Sequence, residues 1–223
     1  MTVAIFVLVH GGGDVGWYWH LVERELRQRG HETIAPDLPC DDDSAGLAEY
    51  ADVVVEAIGG RRGVVLAAQS FGGFTAPLVA ARVPVDMLVL VAGMIPAPGE
   101  APNDWPANTG FDEVMRDQAQ RYSGEDLIYH DVPPALAGQA RRNAREQSDT
   151  PGHAPWPLDT WPPVPTRFVL CTEDRFFPPE FMRRIVADRL GVVPDEIAAG
   201  HAVALSRPKE LANLLACYSS TGG

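Results

Sequence analysis

Short runs of β-branched and aliphatic residues recur along this chain, each followed by a stretch with helical apolar spacing, and this rhythm constrains the fold more than any other feature. Strands buried on both faces read as continuous apolar runs, and parallel strands need helical crossovers between them. Val3–Val9 is the first predicted strand. Trp19–Arg29 has helical spacing and stops at Gly30, a C-terminal cap signal. A second strand, His31–Ala35, ends at Pro36-Asp37-Leu38-Pro39, and Leu47–Ile58 is a helix closed by Gly59-Gly60. Gly63–Ala68 forms a third strand that runs through QSFGG into a helix reaching about Arg82, and Asp86–Val91 is the fourth.

The texture then changes. Residues 93–165 are rich in Pro, Gly and Trp, with short helices expected near 111–122 and 133–147. The rhythm returns with a strand at Thr166–Cys171, a helix at Pro179–Leu190, a short strand near Asp195–Ala198 and a last helix from Pro208 to Tyr218. The expected architecture is a mainly parallel α/β sheet of about six strands with helices on both faces. Residues 1–92 and 166–223 form its core, and 93–165 are inserted as a cap or lid. Roughly seventy residues are too many for a passive connection.

Composition excludes several classes of partner. The 223 residues carry a formal net charge of -12, so neither nucleic acid nor an anionic membrane is expected, since both demand basic patches. No apolar run approaches the ~18–20 residues of a membrane span. Three scattered cysteines, Cys40, Cys171 and Cys217, suggest neither a metal site nor a disulfide framework. The start MTVAIFVLVHGGG lacks a basic leader segment, so the expected location is the cytoplasm. Monomer and homodimer stay open.

Two chemistries compete for the loop after the first strand. Gly11-Gly12-Gly13-Asp14-Val15-Gly16 satisfies G-x-G-x-x-G, the dinucleotide fingerprint, and Asp37 lies about twenty residues on, where a ribose-binding acid would stand. A Gly-rich turn after a strand-end His is equally the way many hydrolases hold a developing oxyanion. Asp37 beside Pro36 and Pro39 also reads simply as a turn former, and His10 as a loop anchor.

Other residues decide between them. In Ala68-Gln69-Ser70-Phe71-Gly72-Gly73 a buried strand meets a helix with almost no connection, which forces Ser70 into a tight turn above the sheet at a helix N-terminus. Ala68 stands where G-x-S-x-G has its first Gly. A serine needs a base to take its proton and an acid to orient that base. His201 follows the last predicted strand and Asp174 follows the one before it. The order Ser70, Asp174, His201 is the order of an α/β-hydrolase triad, with all three residues at carboxyl ends of strands.

The chain at this point resembles the α/β-hydrolase superfamily, in particular the small branch of plant methylesterases, hydroxynitrile lyases and bacterial esterase-like proteins. The resemblance is carried by FVLVHGGGDVGWYWHLVERELRQRGHETIAPDLP, AAQSFGGF, CTEDRFFPPEF and AGHAVALSRPKELANLL. It implies that the backbone N–H groups of Gly12 and Phe71 hold the oxyanion. It also implies a cofactor-independent serine hydrolase acting on a small apolar or aryl ester. The lyases of that branch have Lys directly after the catalytic His and Thr after the strand-end His. Ala202 and Gly11 occupy those positions here, which favours hydrolysis over C–C cleavage. Gly11, Trp17, Tyr129 and His130 are expected to contact substrate; for the last three, packing or a surface role is the alternative. Three other functions compete: a cofactorless lyase, a slow or non-catalytic ligand binder, and a nicotinamide oxidoreductase. The last leaves Ser70, Asp174 and His201 unexplained.

Overall fold

The computed structural model describes residues 3–219. Strands β1 (Ile5–Val9), β2 (Glu32–Ile34), β3 (Val64–Gln69), β4 (Met87–Val91), β5 (Thr166–Cys171) and β6 (Asp195–Ile197) form one sheet. Their order is β2-β1-β3-β4-β5-β6, and every neighbouring pair is parallel. The order reverses between β1 and β3, the switch point at which open α/β sheets bind ligands. The helices of the regular α/β units are α1 (His20–Gln28), α2 (Leu47–Ile58) and α3 (Gly72–Ala80). Between β4 and β5 lie α4 (Trp105–Thr109), α5 (Phe111–Arg121), α6 (Gly124–Tyr129), α7 (Pro134–Asn143) and α8 (Thr150–His153). The chain closes with α9 (Pro179–Leu190), α10 (Val203–Ser206) and α11 (Pro208–Ser219). No helix among the described residues is long and apolar enough to cross a membrane.

Strand alternation sorts the apolar side chains into two cores. Val7, Val9, Leu66, Leu88, Leu90, Phe168 and Leu170 face one side, against Tyr50 and Val54 of α2, Phe74 of α3 and Ile185 of α9. Phe6, Leu8, Val65, Val89, Val91 and Val169 face the other, against Val22 and Leu26 of α1 and Leu211 and Leu215 of α11. Each such side chain removed from water contributes ~1.5–3 kcal/mol. The near-continuous apolar strands thus report a sheet covered on both faces.

The insertion is packed onto this frame. The buried indoles of Trp105 and Trp156 donate their N–H groups to the Ile95 and Phe74 carbonyls at 3.0 and 3.1 Å. Glu100, almost wholly buried, receives both terminal nitrogens of Arg189 on α9. The helix expected over 133–147 is shorter, because Ala144 turns extended. Its last residues serve the glycine loop instead. The Arg145 N–H donates to the Gly13 carbonyl at 2.8 Å, and the Gly13 N–H donates to Gln147 Oε1 at 2.9 Å. A hydrophobicity period cannot signal such a pairing, because it rests on one bond between main chains and one to a polar side chain.

Candidate active site

β3 hands over to α3 at Ser70, whose φ is 51°. A non-glycine residue held there costs of order 1–3 kcal/mol, which the surrounding structure must compensate. Ala92, at the end of neighbouring β4, is the other non-glycine with positive φ among the described residues. The two turns brace each other: the Ser70 N–H donates to the Val91 carbonyl at 3.4 Å, and the Met94 N–H donates to the Ser70 carbonyl at 2.9 Å. Glycine follows Ser70 twice for want of space. A Cβ on Gly72 would lie 2.7 Å from the His10 carbonyl oxygen, and one on Gly73 would lie 1.9 Å from that of Met94.

Three side chains from three strand ends meet here. His201 Nε2 lies 3.1 Å from Ser70 Oγ, and its Nδ1 lies 2.8 Å from Asp174 Oδ2. Asp174 and His201 are buried, while Ser70 is partly exposed. Asp174 Oδ1 accepts the backbone N–H groups of Phe176 and Phe177 at 2.8 and 2.9 Å, which fixes the carboxylate and leaves Oδ2 for the imidazole. The rings of Phe176 and Phe177 pack against His201 at centroid distances of 4.9 and 5.2 Å. With Nδ1–H donating to Asp174, Nε2 carries the lone pair that faces the serine hydroxyl. Gln69 was not foreseen here: its side-chain amide nitrogen lies 3.0 Å from the same Nε2.

The glycine loop abuts this turn. A Cβ on Gly11 would stand 3.0 Å from Ser70 Cβ and 2.4 Å from Gln69 Oε1, and one on Gly12 would stand 3.6 Å from Phe71 Cβ. His10 holds the loop from beneath. Its Nδ1–H donates to the Gly11 carbonyl at 2.8 Å, and its Nε2 accepts the Leu38 N–H at 2.9 Å. Burial pushes the His10 imidazole down to about 4, so it is neutral and serves as a spacer. The third glycine of the apparent fingerprint, Gly16, packs so closely that a Cβ would lie 2.1 Å from the Ala35 carbonyl oxygen. Asp37, where a ribose-binding acid would stand, accepts the Gly16 N–H at 2.7 Å and pairs with Arg145. Loop and acid are thus joined to each other.

A cavity of about 470 Å³ opens over Ser70 and His201. Its walls include Gly11, Gly12 and Asp14 from the β1 loop, Tyr18 from the 3-10 turn that follows it, Phe71 and Met94 from the turns, and Ile128, Tyr129 and Arg145 from the insertion. Gly11 and Tyr129 line this cavity. Trp17 and His130 do not line it. Trp17 stacks on His20 with centroids 4.3 Å apart and packs on the second core. His130 Nε2 meets the Glu173 carbonyl at 2.9 Å, and the adjacent Asp131 accepts the Gly200 N–H at 2.8 Å. That pair braces the two loops bearing Asp174 and His201. Trp105, Trp156 and Trp161 belong to the first core and its margin.

Comparison with known proteins bears on the family and the fold. The sequence profile of the alpha/beta hydrolase family matches residues 6–214. Norfluorocurarine synthase 1 of a Strychnos species is 26% identical, with 94% of this chain and 93% of that protein covered. Methylesterase 7 of Arabidopsis thaliana is 25% identical, with 94% of each covered. The crystal structure of polyneuridine aldehyde esterase superposes with a TM-score of 0.84 at 23% identity, over 98% of this chain and 100% of that one.

Proposed function

This chain belongs to the alpha/beta hydrolase family, and we propose that within it the protein is a cofactor-independent serine carboxylesterase. Its substrate is a small ester that fits the cavity above Ser70. The observation that carries this reading is the hydrogen-bonded series Ser70–His201–Asp174, at 3.1 and 2.8 Å, with Ser70 and His201 lining that cavity. Relatives named as esterases, among them methylesterase 7 and polyneuridine aldehyde esterase, support it.

His201 Nε2 takes the Ser70 proton as Oγ attacks the ester carbonyl carbon. The carbonyl π pair becomes an oxyanion, received by the Gly12 and Phe71 backbone N–H groups. One such donor is worth about 3 kcal/mol of barrier. Collapse breaks the bond to the alkoxy group, which leaves with the proton held by His201. Water then attacks the acyl-enzyme, His201 takes its proton and returns it to Ser70 Oγ, and the carboxylic acid departs. Asp174 holds His201 in the tautomer that both steps need. Ile128 and Tyr129 of α6, with Ala144 and Arg145 after α7, form the part of the insertion that shapes the cavity and selects the substrate.

Norfluorocurarine synthase 1 carries a synthase name, so non-hydrolytic chemistry on the same scaffold is the second reading. A panel of short-chain and aryl esters assayed with wild type and Ser70→Ala distinguishes the two. The expected result is turnover by wild type and none by a folded Ser70→Ala. Full activity in that variant would overturn the mechanism.

A further inference from the structure

The cavity holds a carboxylate that the hydrolytic mechanism does not use. Asp14 lines it beside Gly12 and Gly13, and one of its oxygens, Oδ1, accepts the Val15 N–H at 2.9 Å. Oδ2 has no hydrogen-bond or ion-pair partner among the described residues. Arg145, the cation on the same wall, is committed to Asp37 at 3.1 Å and Asp41 at 3.5 Å. Tyr18 and Tyr129 line the same space, the Tyr18 hydroxyl itself being buried; burial first, and then the Asp14 charge, pushes both phenols up. A carboxylate beside an oxyanion-binding loop opposes the charge that hydrolysis develops. It repels a neutral ester's transition state and gains from one that brings its own cation.

We infer that Asp14 is a specificity-determining residue that pairs with a protonated amine, and that the enzyme's substrates are esters bearing a basic nitrogen. The inference rests on the esterase reading above and goes beyond it by naming the substrate class. The formal charge of -12 acts in the same direction, drawing cations toward the protein. Burial, with Asp37 nearby, pushes the Asp14 carboxyl up to about 6. Preference for the cation therefore grows as pH rises through that value. The other groups facing Asp14 are Tyr18, Tyr129, Asp37 and the Cys40 thiol, which donates to the Asp14 backbone carbonyl at 3.4 Å.

The test compares kcat/KM for straight-chain methyl esters ending in a primary amine with that for alkyl methyl esters of equal length, from pH 5 to 8. Wild type is expected to favour the amine by about tenfold or more at pH 8, the scale of a hydrogen bond to a charged group. The ratio should shrink toward pH 5. Asp14→Asn keeps an oxygen for the Val15 N–H and should collapse the ratio at every pH. Inhibition of wild type by alkylammonium ions over alcohols of equal length gives a readout independent of the variant's folding. Hydrolysis of both series without amine preference, or a preference that survives Asp14→Asn, overturns this inference and leaves the esterase reading intact. Failure to hydrolyse any ester, with Ser70 inert to a serine-directed probe, overturns the esterase reading itself.

Discussion

Replacing Asp174 by Asn tests the orienting role of the carboxylate with almost no change of shape. In the native site Oδ1 accepts two backbone N–H groups and Oδ2 accepts the His201 Nδ1–H. Asparagine can satisfy one side only. If its oxygen keeps the Phe176 and Phe177 N–H groups, its NH2 faces His201 Nδ1. If it flips, two backbone donors lose their acceptor, at ~1–3 kcal/mol each. The first arrangement wins, and Nδ1 must then accept while Nε2 carries the proton. In that tautomer Nε2 cannot take the proton of Ser70 Oγ, 3.1 Å away. The wrong tautomer costs about 10,000-fold in kcat, or ~5.5 kcal/mol of barrier. Steady-state ester hydrolysis gives kcat, and thermal unfolding checks the fold. A folded Asp174→Asn that retains more than about a tenth of wild-type kcat would show that Asp174 does not set the His201 tautomer.

Further perturbations probe the scaffold beneath the site. His10, held near 4 against 6.5 for a free imidazole, binds its proton more readily in the unfolded chain. Its contribution to stability is complete above 6.5 and lost as pH falls toward 4. Wild type should therefore lose about 2 kcal/mol more than His10→Asn between pH 7 and 5 in urea unfolding. Gly73→Ala drives a Cβ against the Met94 backbone and should cost ~2–3 kcal/mol. Gly30→Ala meets nothing within 4 Å, but φ is +85°, so only backbone strain of ~1–2 kcal/mol is expected. The order of the two midpoints in denaturant checks both.

Elements with a strong period were legible in the sequence, and contacts made through space were not. The runs ending at Val9, Ala68, Val91 and Cys171 announce strands because burial on both faces demands apolar residues at successive positions, which in β5 begin only at Phe168. Ser70, Asp174 and His201 were legible because a parallel sheet gathers its strand ends on one edge. The cavity wall was less so. Asp14 reaches it from a loop with no period and Tyr18 from the short 3-10 turn that follows, and Arg145 reaches it because Arg145 and Gln147 bond to Gly13. His130 resembled a pocket residue in isolation, yet its neighbour Asp131 turns the pair toward the Gly200 backbone. The G-x-G-x-x-G string misleads for a physical reason. Both a pyrophosphate loop and this one need a close approach of helix to strand, and Gly16 serves that need against Ala35.

Labelling with a fluorophosphonate asks whether Ser70 is the nucleophile. The probe forms a phosphorus–oxygen bond to an activated serine and expels fluoride. A single adduct is expected on wild type, mapped by mass to the peptide containing Ser70, and none on Ser70→Ala. An unlabelled, folded wild type, or an adduct on another residue, would contradict that role.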